Sequence, residues 1–339
     1  MHKVLVAEGD GIGPEVVGAT IHVLEGLDLD VEYVHEPVGM SGYRERGTAI
    51  SDATVELARE ADAILFGAVT TPPPSTEDYR SPLLTLRREM DLFANVRPAR
   101  PLVPGLGRLA PTPDGRHQQL DVVIVRENTE GLYVRRERDV DGGVVAERLV
   151  TEEGTRRVVE FAADLAVSMG RRRVTCVHKA NLLRRSDGLF LGTFRRVMEG
   201  VPGIAVSDLH VDAAAAAMVS QPASLDVLVC PNEYGDILSD LAAALTGGLG
   251  TAPSASFGAG TPLFEPVHGS APDIAGQGVA DPIGCLLSGA MMLEHLGHGA
   301  EAGRLRVAMV STLGAGISTP DLGGGASTMD FAEEVKGRL

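Results

Sequence analysis

Leu225-Asp226-Val227-Leu228-Val229-Cys230-Pro231-Asn232-Glu233-Tyr234-Gly235-Asp236-Ile237-Leu238-Ser239-Asp240 is the stretch whose reading decides the fold. Residues 225–230 form an apolar run of the length and kind that makes a buried parallel strand. Asn232 to Asp240 lead into Leu241-Ala242-Ala243-Ala244-Leu245, which reads as helix. Asp236 and Asp240 are four residues apart, so a helix starting here points both carboxylates the same way. Two carboxylates at the carboxyl end of a strand suit a hard divalent cation that keeps positions open for a ligand's oxygens. Acids that complement a helix macrodipole are the commoner cause of such a pattern, and this stretch alone favours that explanation.

The whole chain narrows the classes. Its 339 residues, 44% of them hydrophobic, can bury a full core and are enough for two domains. A net charge of −16 argues against nucleic acid or an anionic membrane as partner. No apolar run approaches a membrane span, and the first residues read as a strand rather than a signal peptide, so a cytoplasmic protein is expected. Cys176, Cys230 and Cys285 are odd in number and lie in apolar stretches, which points to reduced core residues rather than disulfides or a zinc site. Of the 30 basic residues only Lys3, Lys179 and Lys336 are lysine. A lysine kept in mid-chain points to work that arginine cannot do, such as losing a proton; chance retention is the alternative.

Working outward, strand and helix alternate, as in a doubly wound α/β sheet. Residues 4–7 read as a strand, and Glu8-Gly9-Asp10-Gly11-Ile12-Gly13-Pro14-Glu15 turns it into a helix with Pro14 in the first turn. That turn fails the dinucleotide fingerprint, because the last glycine position falls on Pro14 or Val16. Residues 31–35 and 63–66 follow as strands and 53–60 as a helix, and residues 70–75, with three prolines, read as a mobile loop. Ser81 is expected as N-cap of a helix with Pro82 first inside it and Leu83, Leu86 and Met90 facing the core. Five arginines against two acids between Arg80 and Arg100 suit either a trap for a small polyanion or a solvated basic face. Residues 121–128 read as a strand, residues 131–134 and 144–150 as an antiparallel pair turning at Asp141-Gly142-Gly143, and Thr151 as the cap of a long helix. The strand at 174–177 delivers His178-Lys179-Ala180-Asn181 at its carboxyl end; a solvated strand end is the commoner fate of such a lysine. A strand at 204–210 precedes Asp212 and an alanine-rich helix, residues 248–260 read as loop, and residues 283–296 as a hydrophobic helix.

Six motifs together carry a resemblance: Gly9-Asp10-Gly11-Ile12-Gly13-Pro14-Glu15, Leu86-Arg87 with Asn95-Val96-Arg97-Pro98, Val125 to Tyr133, His178-Lys179-Ala180-Asn181, Gly235 to Asp240, and His268-Gly269-Ser270-Ala271-Pro272-Asp273. In order and spacing, over nearly the whole chain, they resemble the β-decarboxylating dehydrogenases, the family of isocitrate, homoisocitrate and 3-isopropylmalate dehydrogenases. The resemblance implies a two-domain α/β fold with a central mixed sheet that is not a Rossmann fold. Residues 1–92 and 247–339 would bind the cofactor. Residues 93–246 would carry substrate and metal groups and the clasp strands of a homodimer.

The same resemblance implies the chemistry. The substrate is a malate substituted at C3, oxidised at C2 and then decarboxylated. Arg87, Arg97 and Arg126 match residues that hold its carboxylates, for which a forked guanidinium is well shaped. Asp236 and Asp240, with Asp212 of the partner subunit, match the ligands of Mg²⁺ or Mn²⁺. Lys179, also of the partner subunit, matches the base for the hydroxyl proton, and Tyr133 the acid that protonates the enol. Ile12, Gly250, Glu265, His268, Gly269, Ala271 and Asp273 match dinucleotide contacts. Asp273 can accept from a ribose 2′-hydroxyl and would repel a 2′-phosphate, Ile274 stands where NADP enzymes often carry tyrosine, and residues 321–331 hold no lysine or arginine, so NAD is expected. Asp281 is a departure, since many relatives have asparagine near the adenine.

For the C3 arm, Asn128 to Tyr133, His178 and Ser186-Asp187-Gly188-Leu189-Phe190 resemble the isocitrate and homoisocitrate branches. Arg80 and Ser81 lie where the arm should sit and favour an anionic group, while Leu83 and Leu84 pull towards an apolar one. Homoisocitrate or a close anionic analogue is expected first, isocitrate next and 3-isopropylmalate third, with 3-phosphonomethylmalate satisfying the same charges. Some relatives are regulatory subunits that bind ligand without turnover. Those would have lost residues among Tyr133, Lys179, Asp212, Asp236 and Asp240, and here all five are present.

Overall fold

The computed structural model describes residues 1–71, 79–112, 115 and 118–339, so residues 72–75 of the loop expected at 70–75 lie outside the described residues. Among the described residues twelve strands run in chain order: β1 His2–Gly9, β2 Val31–His35, β3 Ala63–Ala68, β4 Ala94–Ala99, β5 Val122–Glu127, β6 Glu137–Val140, β7 Gly143–Ala146, β8 Arg173–His178, β9 Ala205–His210, β10 Val227–Cys230, β11 Pro253–Phe257 and β12 Leu263–Pro266. The chain divides into two compact units. One comprises Met1–Leu92, Leu102–Leu106 and Gly247–Leu339, the other Phe93–Pro101 and Gly107–Thr246.

In the first unit the strand order is β2-β1-β3-β12-β11. All neighbours are parallel except β11 and β12, which pair antiparallel from Pro253 opposite Pro266 to Ser256 opposite Leu263. β3 is buried along its whole length, as its apolar run requires of a strand covered on both faces. Val16, Val17 and Leu24 of the helix Gly13–Leu24 pack with Ile283, Leu286 and Leu293 of the helix Ile283–His295 in one core. Gly11 and Gly13 are needed as glycine. A Cβ on Gly11, at φ +60°, would stand 1.9 Å from the Ser270 carbonyl oxygen, and one on Gly13 would stand 2.1 Å from that of Glu8.

The second unit repeats the plan with the order β4-β5-β10-β8-β9. β4 and β5 are antiparallel and the rest parallel, so β5, β8 and β10 all end at the same edge. Val227 to Cys230 are fully buried. They feed the helix Asn232–Thr246, which buries Leu238, Ala242 and Ala243.

Two local expectations are corrected. β7 pairs with Glu137–Val140 rather than with residues 131–134, which form a 3-10 turn over Leu132–Val134; only Gly131 bridges Leu149. β6 and β7 are both largely solvent-exposed, so neither carries a buried-strand pattern. Residues 248–260 contain β11, whose Pro, Ser and Ala residues resemble loop composition but are small enough to pack under the helix Ile283–His295, where Ser254 N–H donates to Ser288 Oγ at 3.3 Å. Ser81 does precede the helix Pro82–Glu89, yet its hydroxyl makes no capping hydrogen bond. Leu86 and Met90 are buried as expected, with Leu83 packed on the same core.

Candidate active site

The carboxyl ends of β5 and β10 and the middle of β4 build one station in the second unit. Arg126, next to last in β5, has only 2% of its surface exposed. Its Nε and Nη2 donate to Asn232 Oδ1 at 3.0 and 2.7 Å, which fixes the fork, and Nη1 donates to Asp236 Oδ1. Arg97, from β4, is fixed by Nε to Asn95 Oδ1 at 2.8 Å and Nη1 to Ser239 Oγ at 2.7 Å. That Nη1 also reaches Asp236 Oδ1 at 3.3 Å and Asp240 Oδ1 at 3.6 Å. Tyr133 donates its hydroxyl proton to Asp236 Oδ2, and its ring lies under the Arg126 guanidinium at 4.9 Å. Gly235 makes room for this crossing, since a Cβ there would stand 2.7 Å from Arg126 Cβ.

Electrostatics sort these groups. Burial, with hydrogen bonding to Asp236 second, raises the Tyr133 phenol, so it keeps its proton. Burial raises the Asp240 carboxyl; Arg97 opposes this and Asp236 adds to it. Two hard oxygen donors one helical turn apart, one of them disfavoured as a bare anion, are what a divalent cation would relieve. Among the described residues no three His, Cys, Asp or Glu side chains gather for a metal. Asp212 stands apart from the Asp236–Asp240 pair.

β8 delivers the second station. Lys179 Nζ pairs with Asp212 Oδ1 in the first turn of the helix Val211–Ser220. Lys179's own N–H donates to Asp187 Oδ2 at 2.6 Å; Asp187 is fully buried and balanced by Arg148. His178 accepts the Ala180 N–H on Nδ1 at 3.0 Å, so its Nε2 carries the proton directed at Asp208, 3.2 Å away. It is a positioned, buried residue. Asn95, Asn232, Ser239, Asp187 and Arg148 were absent from the sequence-based set. Their signal was weak: short polar residues beside motif residues, with nothing to say what they would hold.

The first unit holds the remaining residues. Arg87 donates from Nη2 to Glu265 Oε1 at 2.8 Å in a buried pair, leaving its Nε buried without a partner. Arg80 pairs with Asp52 at 2.7 Å and lies 3.9 Å from Glu89, both at the surface. Ile12 N–H donates to the Ser270 carbonyl at 2.9 Å, which packs the glycine-rich turn on the loop His268–Asp273 through its middle. His268 Nδ1 lies 2.9 Å from the Gly269 carbonyl oxygen and therefore carries the proton. Its Nε2 is a buried lone pair without a partner, and burial lowers the ring's pKa. Gly269 has open space where a Cβ would stand, Ala271 sits at φ +38°, and Asp273 is exposed. Asp281 keeps one oxygen unpartnered beside Gly250. Orphaned polar atoms and open backbone in one loop system fit a dinucleotide.

An α/β chain with rigid guanidinium forks and paired carboxylates at its strand ends has the build of a cofactor-dependent enzyme acting on small anions. The family model described as isocitrate/isopropylmalate dehydrogenase matches residues 3–335. A 3-isopropylmalate dehydrogenase of Methanothermobacter thermautotrophicus is 45% identical over 99% of this chain and 98% of its own. A homoisocitrate dehydrogenase of Methanocaldococcus jannaschii is 44% identical over 99% and 97%. The crystal structure of isocitrate dehydrogenase from Methylococcus capsulatus superposes with a TM-score of 0.92 at 40% identity, covering 100% of this chain and 99% of that one. The chain belongs to the isocitrate/isopropylmalate dehydrogenase family: it is an NAD(P)-dependent β-decarboxylating dehydrogenase acting on the CH–OH group of a hydroxy acid. Near-equal identity to relatives named for different substrates leaves the C3 arm to be argued from the residues. No helix among the described residues is long and apolar enough to cross a membrane.

Proposed function

We propose that this protein carries out NAD-dependent oxidative decarboxylation of a malate with an anionic C3 arm, homoisocitrate or a close analogue, assisted by Mg²⁺ or Mn²⁺. The observation that carries the reading is the convergence of Arg97, Arg126 and Tyr133 on Asp236, one helical turn from Asp240. Forks already held by Asn95, Ser239 and Asn232 need little reordering to take substrate carboxylates. Arg87 is the third such residue, and its unpartnered Nε is a donor in reserve.

Asp236 and Asp240, with Asp212 of the partner subunit, would hold the cation, which supplies positive charge to acidify the C2 hydroxyl and offset the charge developing on its oxygen. The Lys179–Asp212 pair, apart from Asp236 within one chain, supports a homodimer whose sites each take these two residues from the other subunit. As the free amine, Lys179 would accept the hydroxyl proton, and the coenzyme would supply the acceptor for the C2 hydride. The β-keto acid then loses carbon dioxide, and Tyr133 returns a proton to C3 of the enol. Residues 1–92 and 247–339 serve the coenzyme through Ile12, Gly250, Glu265, His268, Gly269, Ala271, Asp273 and Asp281. Residues 93–246 serve substrate, metal and subunit pairing, with β6 and β7 as the clasp.

Arg80 and Ser81 remain the groups assigned to the anionic arm. The Arg80–Asp52 pair is exposed, and such pairs are weak enough for a substrate anion to displace. The 45% identity to a 3-isopropylmalate dehydrogenase supports a second reading, in which Leu83 and Leu84 meet an apolar arm.

The coenzyme assignment is tested by initial rates. NAD is expected to exceed NADP by about 100-fold or more in kcat/KM, a gap of roughly 3 kcal/mol, and Asp273→Ala should narrow it by weakening NAD(H) binding and by improving NADP. Equal use of NADP by the unaltered protein would refute the Asp273 assignment.

A further inference from the structure

Among the residues assigned to the coenzyme, Asp281 is a buried carboxyl, only 5% exposed, whose protonation state decides what it can offer a ligand. Its Oδ1 accepts the Ile283 N–H at 2.8 Å at the start of the helix Ile283–His295, while Oδ2 is buried with no hydrogen-bond partner. Among the described residues no basic side chain pairs with it. The charge that acts on it is a second carboxylate, Asp321. Both acids approach Gly250: a Cβ on that glycine would stand 3.2 Å from Asp281 Oδ2 and 3.3 Å from Asp321 Oδ2. Asp321 is exposed and accepts from Thr319 Oγ1 at 2.6 Å. The turn Leu249–Thr251 brings no titratable group. Cys285 on the adjoining helix brings no charge, its buried thiol being pushed up to about 12. An ionised Asp281 would therefore be desolvated and face a like charge, and a proton removes both costs. Burial first, then Asp321, raises its carboxyl well above the usual range.

We propose that Asp281 is a neutral carboxylic acid at physiological pH, and that its Oδ2–H donates a hydrogen bond to the bound coenzyme. This rests on the assignment of Gly250, His268 and Asp281 to the coenzyme. A carboxylic acid offers one donor and one acceptor side by side, as an asparagine carboxamide does. The acceptor is committed to the Ile283 N–H and the donor is the half left for a ligand. The aspartate thus keeps the hydrogen-bonding pattern of the asparagine that the resemblance expects here. Ionised, it would offer only lone pairs and a second negative charge near an anionic dinucleotide.

Three measurements on the intact protein test this, using NADH as the probe. Infrared difference spectra of the coenzyme-free protein at pH 7 should show a protonated-carboxyl C=O band that Asp281→Asn removes. Fluorescence titration should give Asp281→Asn an NADH affinity within about 3-fold of the unaltered protein at pH 7, with Asp281→Leu about 10-fold weaker for want of the donor. Above neutral pH the unaltered protein should lose affinity relative to Asp281→Asn as the acid ionises. Stability should follow the same proton. The folded-state pKa lies above that of the unfolded chain, near 3.9, so the contribution is full below that value and is lost as pH rises towards the folded pKa. Asp281→Asn should accordingly raise Tm at neutral pH by a few degrees, with the gap closing towards about pH 4. NADH bound about 10-fold tighter by Asp281→Asn at pH 7, or no band that this variant removes, would overturn the proposal. If Asp281→Leu binds normally while Asp273→Ala binds weakly, the donor assignment alone has failed. If both bind normally, the coenzyme assignment has failed with it.

Discussion

Replacing Lys179 with alanine is expected to lower kcat by about 10²–10⁴-fold, the usual contribution of a positioned general base, while NADH affinity stays unchanged. The expectation rests on geometry. Lys179 is delivered by the buried strand β8, its backbone N–H is tied to the fully buried Asp187, and its ammonium reaches an acid that stands apart from Asp236 and Asp240 within the chain. Its pair with Asp212 is at the surface, so losing it should leave the fold intact and the defect confined to turnover. A small primary amine added to the variant should restore part of the rate if proton removal is what was lost. Undiminished turnover would remove Lys179 from the mechanism.

Asp236→Asn should be as damaging to turnover and harder on stability. Asp236 accepts from both arginines and from Tyr133, so neutralising it removes the anion that Arg126, buried to 98%, meets through Nη1. Breaking a buried pair by removing one partner costs about 3–5 kcal/mol, and one side of Asp236 open to solvent places this case at the low end. Turnover should fall at least about 10³-fold, through loss of a cation ligand and through misplacement of two substrate forks. Mixing the two inactive variants tests the shared site. If Lys179 serves the other subunit, half the dimers are mixed and each holds one intact site, so about a quarter of full activity returns. If each chain completes its own site, none does.

The parts legible in the sequence were those with a strong local cause. Residues 225–230 had to be a buried strand because nothing polar interrupts them but Asp226, and the four-residue spacing of Asp236 and Asp240 put both within reach of Arg97. Scarcity of lysine points to Lys179, which the fold ties to Asp187 and Asp212. What was not legible depends on partners distant in sequence. β11 hides among prolines, serines and alanines, because what makes it a strand is burial under the helix Ile283–His295 rather than apolar alternation. The partner of β7 lies several residues beyond the expected one, since an exposed hairpin buries neither face. Asn232 and Asp187 look like ordinary turn and helix-start residues. Only the fold reveals that one locks Arg126 and the other holds the Lys179 turn. Arg80 reads as a free cation, and in the fold it is paired with Asp52.

The central claim, that an anionic C3 arm is oxidised and decarboxylated with NAD, is tested most directly by following NADH formation with Mg²⁺ across homoisocitrate, isocitrate, 3-isopropylmalate and 3-phosphonomethylmalate. The account predicts highest kcat/KM for a substrate with an anionic arm, homoisocitrate first, with one carbon dioxide released per NADH. A clear preference for 3-isopropylmalate would contradict it, assigning the arm to Leu83 and Leu84 rather than to Arg80 and Ser81.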